Sequence, residues 1–580
     1  MATKKKAKAA TKVRAKATKV KAAKAVKKIK KVVKSTAKKV EKEAKKVIKN
    51  VRQNVQTFKT SGEIILLLKQ GVGKPSVPCV KKGDKVKVGQ LIAKPQGLGA
   101  NLHSSVDGVV SQVTDTAIYV KTSKVVKTIG QNEPKKIKAD KNDLLACVDE
   151  AGVVGMGGAG FPTAAKLSTK LNDGYILVNA AECEPILAHN MAQLVQYPNE
   201  TIKGIQYAMK IANAKQGIIA IKQKHKEEID SILKALKGID NIRVHLLPDI
   251  YPMGEERAVV RECLGILLPV TALPSEANAH VINVETVLRV YEAIEHRRPI
   301  VSKKITVSGK IKGLKNGVKV FHDVPIGLKV KDVINAAGGI DGDYGEIIMG
   351  GPFMGKPCSL DHPVTKTTGG IIVTKPFKNY KKAKVGLLVC ACGANEDRLK
   401  DIARKYNMEV VDVEYCKQAK DPKGNGVYKC ENPGNCPGQA LKCMNIKKAG
   451  ATEILISNCS DCTNTVMGSA PGLGLNVHHA TDHIFETVGM EVQRHLKKSK
   501  FVEGPIPEGC TASRNPESNE PGGIKSVSHA ENASGTSATN ATSATSADYS
   551  KPYVFREDSP EGEILISVES GSDISVKWED

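Results

Sequence analysis

The chain has 580 residues, with 88 Lys+Arg against 60 Asp+Glu, a formal charge of +28, 41% hydrophobic residues, 14 Cys and one Trp. That length holds three or four domains, while the longest apolar stretch, Cys263 to Leu273, contains Pro269 and falls well short of the roughly 20 residues of a bilayer-spanning helix, which excludes a transmembrane helix. The charged start MATKKKAKAA lacks an apolar h-region and so argues against secretion, which points to the cytoplasm, where clustered thiols mean metal or redox chemistry more often than disulfides.

The charge is uneven: residues 1–50 carry +19 and residues 511–580 carry −7, so the high pI belongs largely to a tail and says little about the body. Residues 1–57 are Lys, Ala and Val, with Val26, Ile29, Val33 and Ala37 opening a thin apolar stripe at helical spacing. This basic tail is either a solvated arm or a segment that contacts an anionic membrane surface, nucleic acid or an acidic protein. From 58 to 135, KKGDKVKVGQLIA, HSSVDGVVSQV and TAIYVKT predict short strands of a β barrel or sandwich. Residues 136–300 alternate helical patterns with YILVNA, GIIAIK and IRVHLLP, which predicts an α/β layer with parallel strands. Residues 301–380 read as a small α+β unit, from KITVSGKI through VPIGLKVKDVINAAGGI to GEIIMGG, and residues 381–498 as a further α/β module. The Pro, Gly, Ser and Thr of 499–550 predict a flexible linker, and 551–580 a tail whose EGEILISVES and ISVKWED can pair as a hairpin. Both tails read as disordered.

Gly155, Gly157, Gly158 and Gly160 satisfy GxGxxG, yet LLACVDEAGVV before them reads as a helix rather than the strand of a dinucleotide fingerprint. Glycines there let backbone N–H groups approach a phosphate, or simply make a tight loop. Three polar clusters follow at the ends of α/β elements: Asn179-Ala-Ala-Glu-Cys-Glu-Pro185, Tyr251-Pro-Met-Gly-Glu-Glu256 and Asn283-Val-Glu-Thr286. Carboxylates beside a phosphate are electrostatically awkward but suit ribityl or ribose hydroxyls and a nicotinamide amide, with Lys166 left to meet the phosphate.

Eight cysteines fall between 390 and 462. Cys390, Cys392, Cys416, Cys459 and Cys462 follow the apolar runs VGLLV, VVDVEY and ILIS, so they are expected at the carboxyl ends of parallel strands, the edge where an open α/β sheet forms its crevice. Cys459 and Cys462 form a CxxC at the start of an expected helix, whose dipole lowers a thiol pKa and suits dithiol exchange or electron transfer. An iron-sulfur cluster, zinc and inert buried thiols stay open as alternatives, although the CxxCxxCxxxCP run of bacterial ferredoxins is absent. His478, His479 and His483 read as exposed polar residues.

Taken together, GMGGAGFPT at 155–163, NAAECEP, GEE and NVET resemble the FMN- and NADH-binding subunit of respiratory complex I, and more strongly the C subunit of the Rnf electron-transport complex. The resemblance covers roughly 60 to 378 and implies a lipoyl-like barrel-sandwich, a complex I flavin-subunit-like α/β domain and an SLBB-like α+β domain ending in GGPFMGKP. It implies that Gly155, Gly157, Gly158, Gly160 and Lys166 cradle FMN, that Asn179, Glu182, Gly254, Glu255 and Asn283 surround its ribityl and ring, and that Phe161, Glu184 and Glu256 fall beside the nicotinamide nucleotide. Met156, Ala181 and Ile282 depart from complex I, which has Arg, Asp and Asn there. The phrases LVCACGANEDRLKDIA, CENPGNCPGQA and ISNCSDCTNTVM are similar instead to the proline reductase-associated electron transfer family (PrdC), whose members can carry selenocysteine. That resemblance implies a relay in which NADH reduces FMN, the cysteine module takes the electrons, and D-proline reductase receives them. The alternatives are an Rnf-like iron-sulfur subunit peripheral at the inner face of the membrane, and a scaffold of the same fold without redox chemistry.

Overall fold

A computed structural model describes, with side chains, residues 57–127, 134–314, 317–457, 465–492, 494 and 501–513, and the backbone of the strands Tyr553–Ser559, Gly562–Val568 and Ile574–Glu579. Most of the basic tail, residues 1–56, and the pair Cys459 and Cys462 lie outside the described residues.

Short alternating segments in 57–127 pair into two main antiparallel sheets. One orders Glu63–Leu67, Ala117–Lys121, Gly108–Val113 and Lys85–Val86, the other Val77–Pro78, Leu91–Lys94 and Leu102–His103. Ile64 and Leu66 are buried while Glu63, Ile65 and Leu67 are half-buried, the period of two that a strand with one inward face requires.

The next region is a fully parallel sheet ordered Ala279–Asn283, Gly174–Ala180, Ala214–Lys222, Ile242–Leu247 and Cys510–Ala512. Ile176 and Val178 pack into one core and Leu177 into another, so both faces are covered and the strands are apolar without alternation. Helix Pro198–Ala212 starts with Pro at its first turn and stops at Asn213, which takes the left-handed conformation at φ 57°. The outer strand Cys510–Ala512 corrects the expectation of a linker from residue 499. It docks in parallel along Val244–Leu246, and Thr511 and Ser513 lie 2.9 and 3.0 Å from the two ring nitrogens of His245. Three residues carry no period, so nothing in the pattern announces a strand.

In the α+β unit a mixed sheet orders Val318–Pro325, Ser302–Gly309, Gly370–Val373, Ile347–Met349 and Lys356–Cys358, with helix Val330–Ala337. It meets the preceding region across a buried ion network. Glu285, at the start of helix Val284–Glu295, accepts from Lys303 and Arg289, and Arg289 also donates to Glu292 at 2.8 Å.

The cysteine-rich region is a second parallel sheet, ordered Glu409–Tyr415, Lys384–Val389, Glu453–Ile456 and Asn476–His479. Helices Glu396–Lys405 and Ala440–Lys448 pack against it, helix Asp482–Val488 sets Ile484 against Ile348 and Ile372 of the α+β unit, and a short hairpin pairs Ala419–Lys420 with Lys429–Cys430. The three histidines are not the exposed residues expected. His479 and His483 are buried and His478 is half-buried; His483 lies 2.7 Å from Glu346 and stacks on Phe377, while His478 lies 2.7 Å from Glu453. Each therefore has a structural carboxylate or ring neighbour instead of water.

At the C-terminus Gly562–Val568 pairs antiparallel with Ile574–Glu579, as the hairpin pattern suggests, and Tyr553–Ser559 adds a third strand. Among the described residues no helix is long and apolar enough to cross a membrane.

Candidate functional site

The polar clusters converge where the parallel strands end. Asn179 is the next-to-last residue of Gly174–Ala180 and Asn283 the last of Ala279–Asn283, and these are neighbouring strands. Between helices Leu144–Glu150 and Thr163–Ser168 the glycine segment folds back on itself, with the Gly155 N–H donating to the Phe161 carbonyl at 2.8 Å and the Gly160 N–H to the Gly155 carbonyl at 3.2 Å. The Met156 N–H donates to Thr286 Oγ1 at 2.9 Å, which fixes the loop to the start of the next helix. A Cβ on Gly157 would stand 2.9 Å from Asn283 Nδ2, so the residue must be glycine for the loop to approach that close. Gly158, at φ +134°, faces open space.

The space is a cavity of about 610 Å³. Of the residues expected at the cofactor, Gly157, Gly158, Asn179, Glu182, Glu184, Gly254, Glu255, Glu256 and Asn283 line it. Gly155, Gly160, Phe161 and Lys166 are not on its wall. Gly155 and Phe161 form the base of the loop, and Gly160 abuts Gly71, where a Cβ would come within 2.7 Å of backbone. Lys166 Nζ donates to the Val281 carbonyl at 2.9 Å and stands 3.9 Å from Glu256, so a carbonyl and a carboxylate already hold the charge expected to meet a phosphate. The departures Met156, Ala181 and Ile282 are buried apolar side chains that merge with the core, and Met156 also lines the cavity.

Burial is the main force on the acids. It pushes Glu182 up to about 8, helped by the charge of Glu184 and opposed by the N–H that Asn190 donates at 3.1 Å. Glu184 is pushed up to about 7, again by burial, although it accepts the N–H groups of Phe353 at 2.7 Å and Met354 at 2.8 Å. Burial thus makes both acids far easier to protonate than ordinary carboxyls, and in the protonated form each can donate to a carbonyl or amide. The thiol of Cys183 between them is raised by burial, and its sulfur accepts the Gly254 N–H at 2.7 Å. The Asn190 Oδ1 acceptor, on the same wall, is buried with no hydrogen-bond partner among the described residues. A glycine-rich loop, acids whose ionisation burial suppresses and an unsatisfied amide oxygen fit a polar, hydroxyl-bearing cofactor such as FMN.

Three parts of the wall go beyond the sequence-based expectation. The Met349–Gly355 turn belongs to the phrase GGPFMGKP, but its contact with Glu184 joins positions 169 residues apart. Arg257 directly follows the GEE motif. Tyr428, Lys429 and Cys430 come from the cysteine-rich hairpin, and Cys392 joins them on the cavity. Tyr251 ties the two regions together, donating its hydroxyl to the Cys392 carbonyl at 2.6 Å with its ring 4.2 Å from that of Phe353. Arg261 donates to Asn432 at 2.6 Å and to the Pro433 carbonyl at 2.7 Å. Cys390 and Cys416 sit behind this wall in an apolar cluster with Cys443, Leu388 and Ile454. Among the described residues no three His, Cys, Asp or Glu side chains are grouped to hold a metal ion; Cys459 and Cys462 are outside them.

Comparison with known proteins accords with this geometry. Residues 148–292 match the Nuo51 FMN-binding domain, and residues 38–130 the RnfC barrel sandwich hybrid domain. The C subunit of the proton-translocating ferredoxin:NAD(+) oxidoreductase complex of Clostridium ljungdahlii is 34% identical over 327 residues, 53% of this chain and 70% of that protein. The chain belongs to the RnfC family. Cobalamin reductase PduS of Salmonella typhimurium is 41% identical over 233 residues, 40% of this chain, and the chain spans about half the length of that relative, 50%. A solved NAD+-reducing [NiFe]-hydrogenase matches 41% of this chain and 47% of its own at 23% identity with a TM-score of 0.36, too slight a likeness to argue from. The match to the FMN-binding domain takes in the glycine loop and all three polar clusters, and the cysteine-rich region borders the same cavity.

Proposed function

We propose that the chain takes electrons from NADH at FMN and passes them to the cysteine-rich region and on to a partner reductase. The observation that carries this reading is a cavity with Gly157, Gly158 and Asn283 on its wall together with Cys392 and Cys430. FMN, when bound, accepts two electrons as a hydride and releases them singly or in pairs. Gly157 and Gly158 leave room for it, while Asn179, Asn190 and Asn283 offer amides to its hydroxyl and ring groups. Glu182 and Glu184, whose ionisation burial suppresses, offer carboxyl groups beside the nucleotide. Tyr251 and Arg257 hold the Cys392 and Cys430 carbonyls and so fix where the cysteine loops stand. Cys459 and Cys462 are the proposed outgoing dithiol, and D-proline reductase is the acceptor that the phrases of this region imply. The place of action is the cytoplasm, either free or peripheral at the membrane.

The test is to purify the protein anaerobically, record its visible spectrum, assay iron and zinc, and add NADH. Bleaching of a flavin band is expected, and iron would replace the dithiol by an iron-sulfur cluster. Protein that stays colourless after FMN reconstitution would overturn the relay in favour of a scaffold.

A further inference from the structure

One cation on the cavity wall is incompletely used. The Arg257 side chain is 2% exposed; its Nε donates to Glu255 Oε1 at 3.0 Å and its Nη2 to the Cys430 carbonyl, while Nη1 is buried without a hydrogen-bond partner among the described residues. Leaving such a donor unsatisfied is destabilising, so an arginine kept in this state on a cavity wall points to an acceptor that arrives with a ligand. Two exposed lysines share the wall. Lys429, on the cysteine-rich hairpin, uses one N–H for the Val270 carbonyl at 3.0 Å and keeps two; Lys356 stands at the other region's contribution, the strand after the Met349–Gly355 turn.

The acids on the same wall offset only part of this charge, Glu255 by pairing with Arg257 itself. Glu255 is held by Arg257 Nε and also caps its helix, accepting the N–H groups of Arg257 and Ala258 at 2.9 and 3.0 Å. Glu256 faces Lys166. Burial suppresses the ionisation of Glu182 and Glu184, which lowers their negative charge near neutrality. What remains is a buried guanidinium N–H without a partner among the described residues, which a small side-chain turn would bring to a ligand, and two exposed ammonium groups, a set that matches an anion rich in oxygens.

We infer that Arg257, Lys429 and Lys356 bind the diphosphate of the nicotinamide dinucleotide, so that the cysteine-rich region supplies part of the substrate pocket. The inference rests on the relay reading for the identity of the dinucleotide. It makes the cysteine region a condition for NADH binding, so electrons enter only when their next carrier is docked.

The test uses the full-length protein loaded with FMN. ADP-ribose, which carries the diphosphate without the nicotinamide, is titrated by calorimetry, and NADH-dependent ferricyanide reduction is measured in parallel. Lys429→Ala is expected to weaken ADP-ribose binding about tenfold, the size of one charge-assisted contact, and to raise KM for NADH by a similar factor, the change falling on KM more than on kcat. Arg257→Met should do at least as much and Arg257→Lys should restore part of it, a rescue that a merely structural role would not give. Unchanged ADP-ribose affinity in Lys429→Ala overturns the inference. So does a loss of FMN with ADP-ribose affinity kept, because the anion would then be the flavin phosphate. Wild-type protein that binds ADP-ribose but is not bleached by NADH would sink the relay and leave this subsite standing.

Discussion

Both parallel sheets, Gly174–Ala180 with its neighbours and Lys384–Val389 with its neighbours, present their functional side chains where the strands end, yet what they present differs. The flavin-side edge offers amides, protonated acids and bare backbone to an open cavity. The cysteine side keeps Cys390, Cys416 and Cys443 among aliphatic side chains and, among the described cysteines, shows Cys392 and Cys430 to the same space. Topology thus supplies a place for chemistry, and the polarity of the residues at that place decides which chemistry. The α+β unit joins the two through carboxylates. On one seam Glu285 and Lys303 are both 0% exposed. On the other Glu346 meets Arg398 and Lys405, whose side chains are 14% and 24% exposed.

The first way to break that contrast is to remove the carboxylate from each seam. Glu285→Gln leaves a dry ammonium unpaired and should cost about 3–5 kcal/mol of unfolding free energy in a denaturant titration, whereas Glu346→Gln, whose cations can turn to water, should cost about 1–3 kcal/mol. Equal losses would erase the difference between the seams. The larger loss should also depend on pH: against the burial that would raise it, Lys303, Arg289 and His189 hold Glu285 down to about 2 from an ordinary 4.5. Its contribution is full above 4.5 and disappears as pH falls toward 2, so the wild type and Glu285→Gln should converge in acid.

The second concerns the open cavity. Glu182 and Glu184 titrate at about 8 and about 7 when folded but near 4.5 when unfolded, so they cost stability as pH rises from 4.5 through 8. Their ionisation also brings negative charge toward the nucleotide. KM for NADH should rise about tenfold between pH 6.5 and 9, and Glu184→Gln should remove the lower step; a flat wild-type profile would mean that these acids do not face the nucleotide.

The smallest effect tests the link between the sheets. Tyr251→Phe removes one hydrogen bond to the Cys392 loop, about 1 kcal/mol, and should slow transfer from reduced flavin to an external acceptor severalfold while NADH still bleaches the flavin at its usual rate. Stopped-flow absorbance separates the two phases, and equal slowing of both would assign Tyr251 to the nucleotide instead.

Much of the cavity is legible in the sequence because its residues come in contiguous phrases: Gly155 to Gly160, Asn179 to Glu184 and Gly254 to Glu256 each fix a loop at one strand or helix end. Strand-end placement of Cys390, Cys392 and Cys416 follows from apolar runs of the right length. What stays hidden is which loops meet. The Glu184 contact with Phe353 and Met354 is made to backbone N–H groups, which every residue but proline carries, so no side chain marks it. Position and charge assign Lys166 to a phosphate, whereas its long chain reaches the Val281 carbonyl. His483 reads as exposed because its buried partner, Glu346, lies 137 residues away.

The strand Cys510–Ala512 gives the cysteine-rich region a second attachment. The chain departs from the flavin-side sheet after Asn283, builds two further units, and returns to the sheet's outer edge. The cysteine region is therefore a span anchored at both piers and not a pendant, and any excursion must draw on both anchors, which keeps its thiols at high effective concentration beside the cavity. A shortened protein ending at the apparent close of that region would lose the far pier and uncover the ladder groups of Val244–Leu246, trading an intramolecular carrier for an open, adhesive edge.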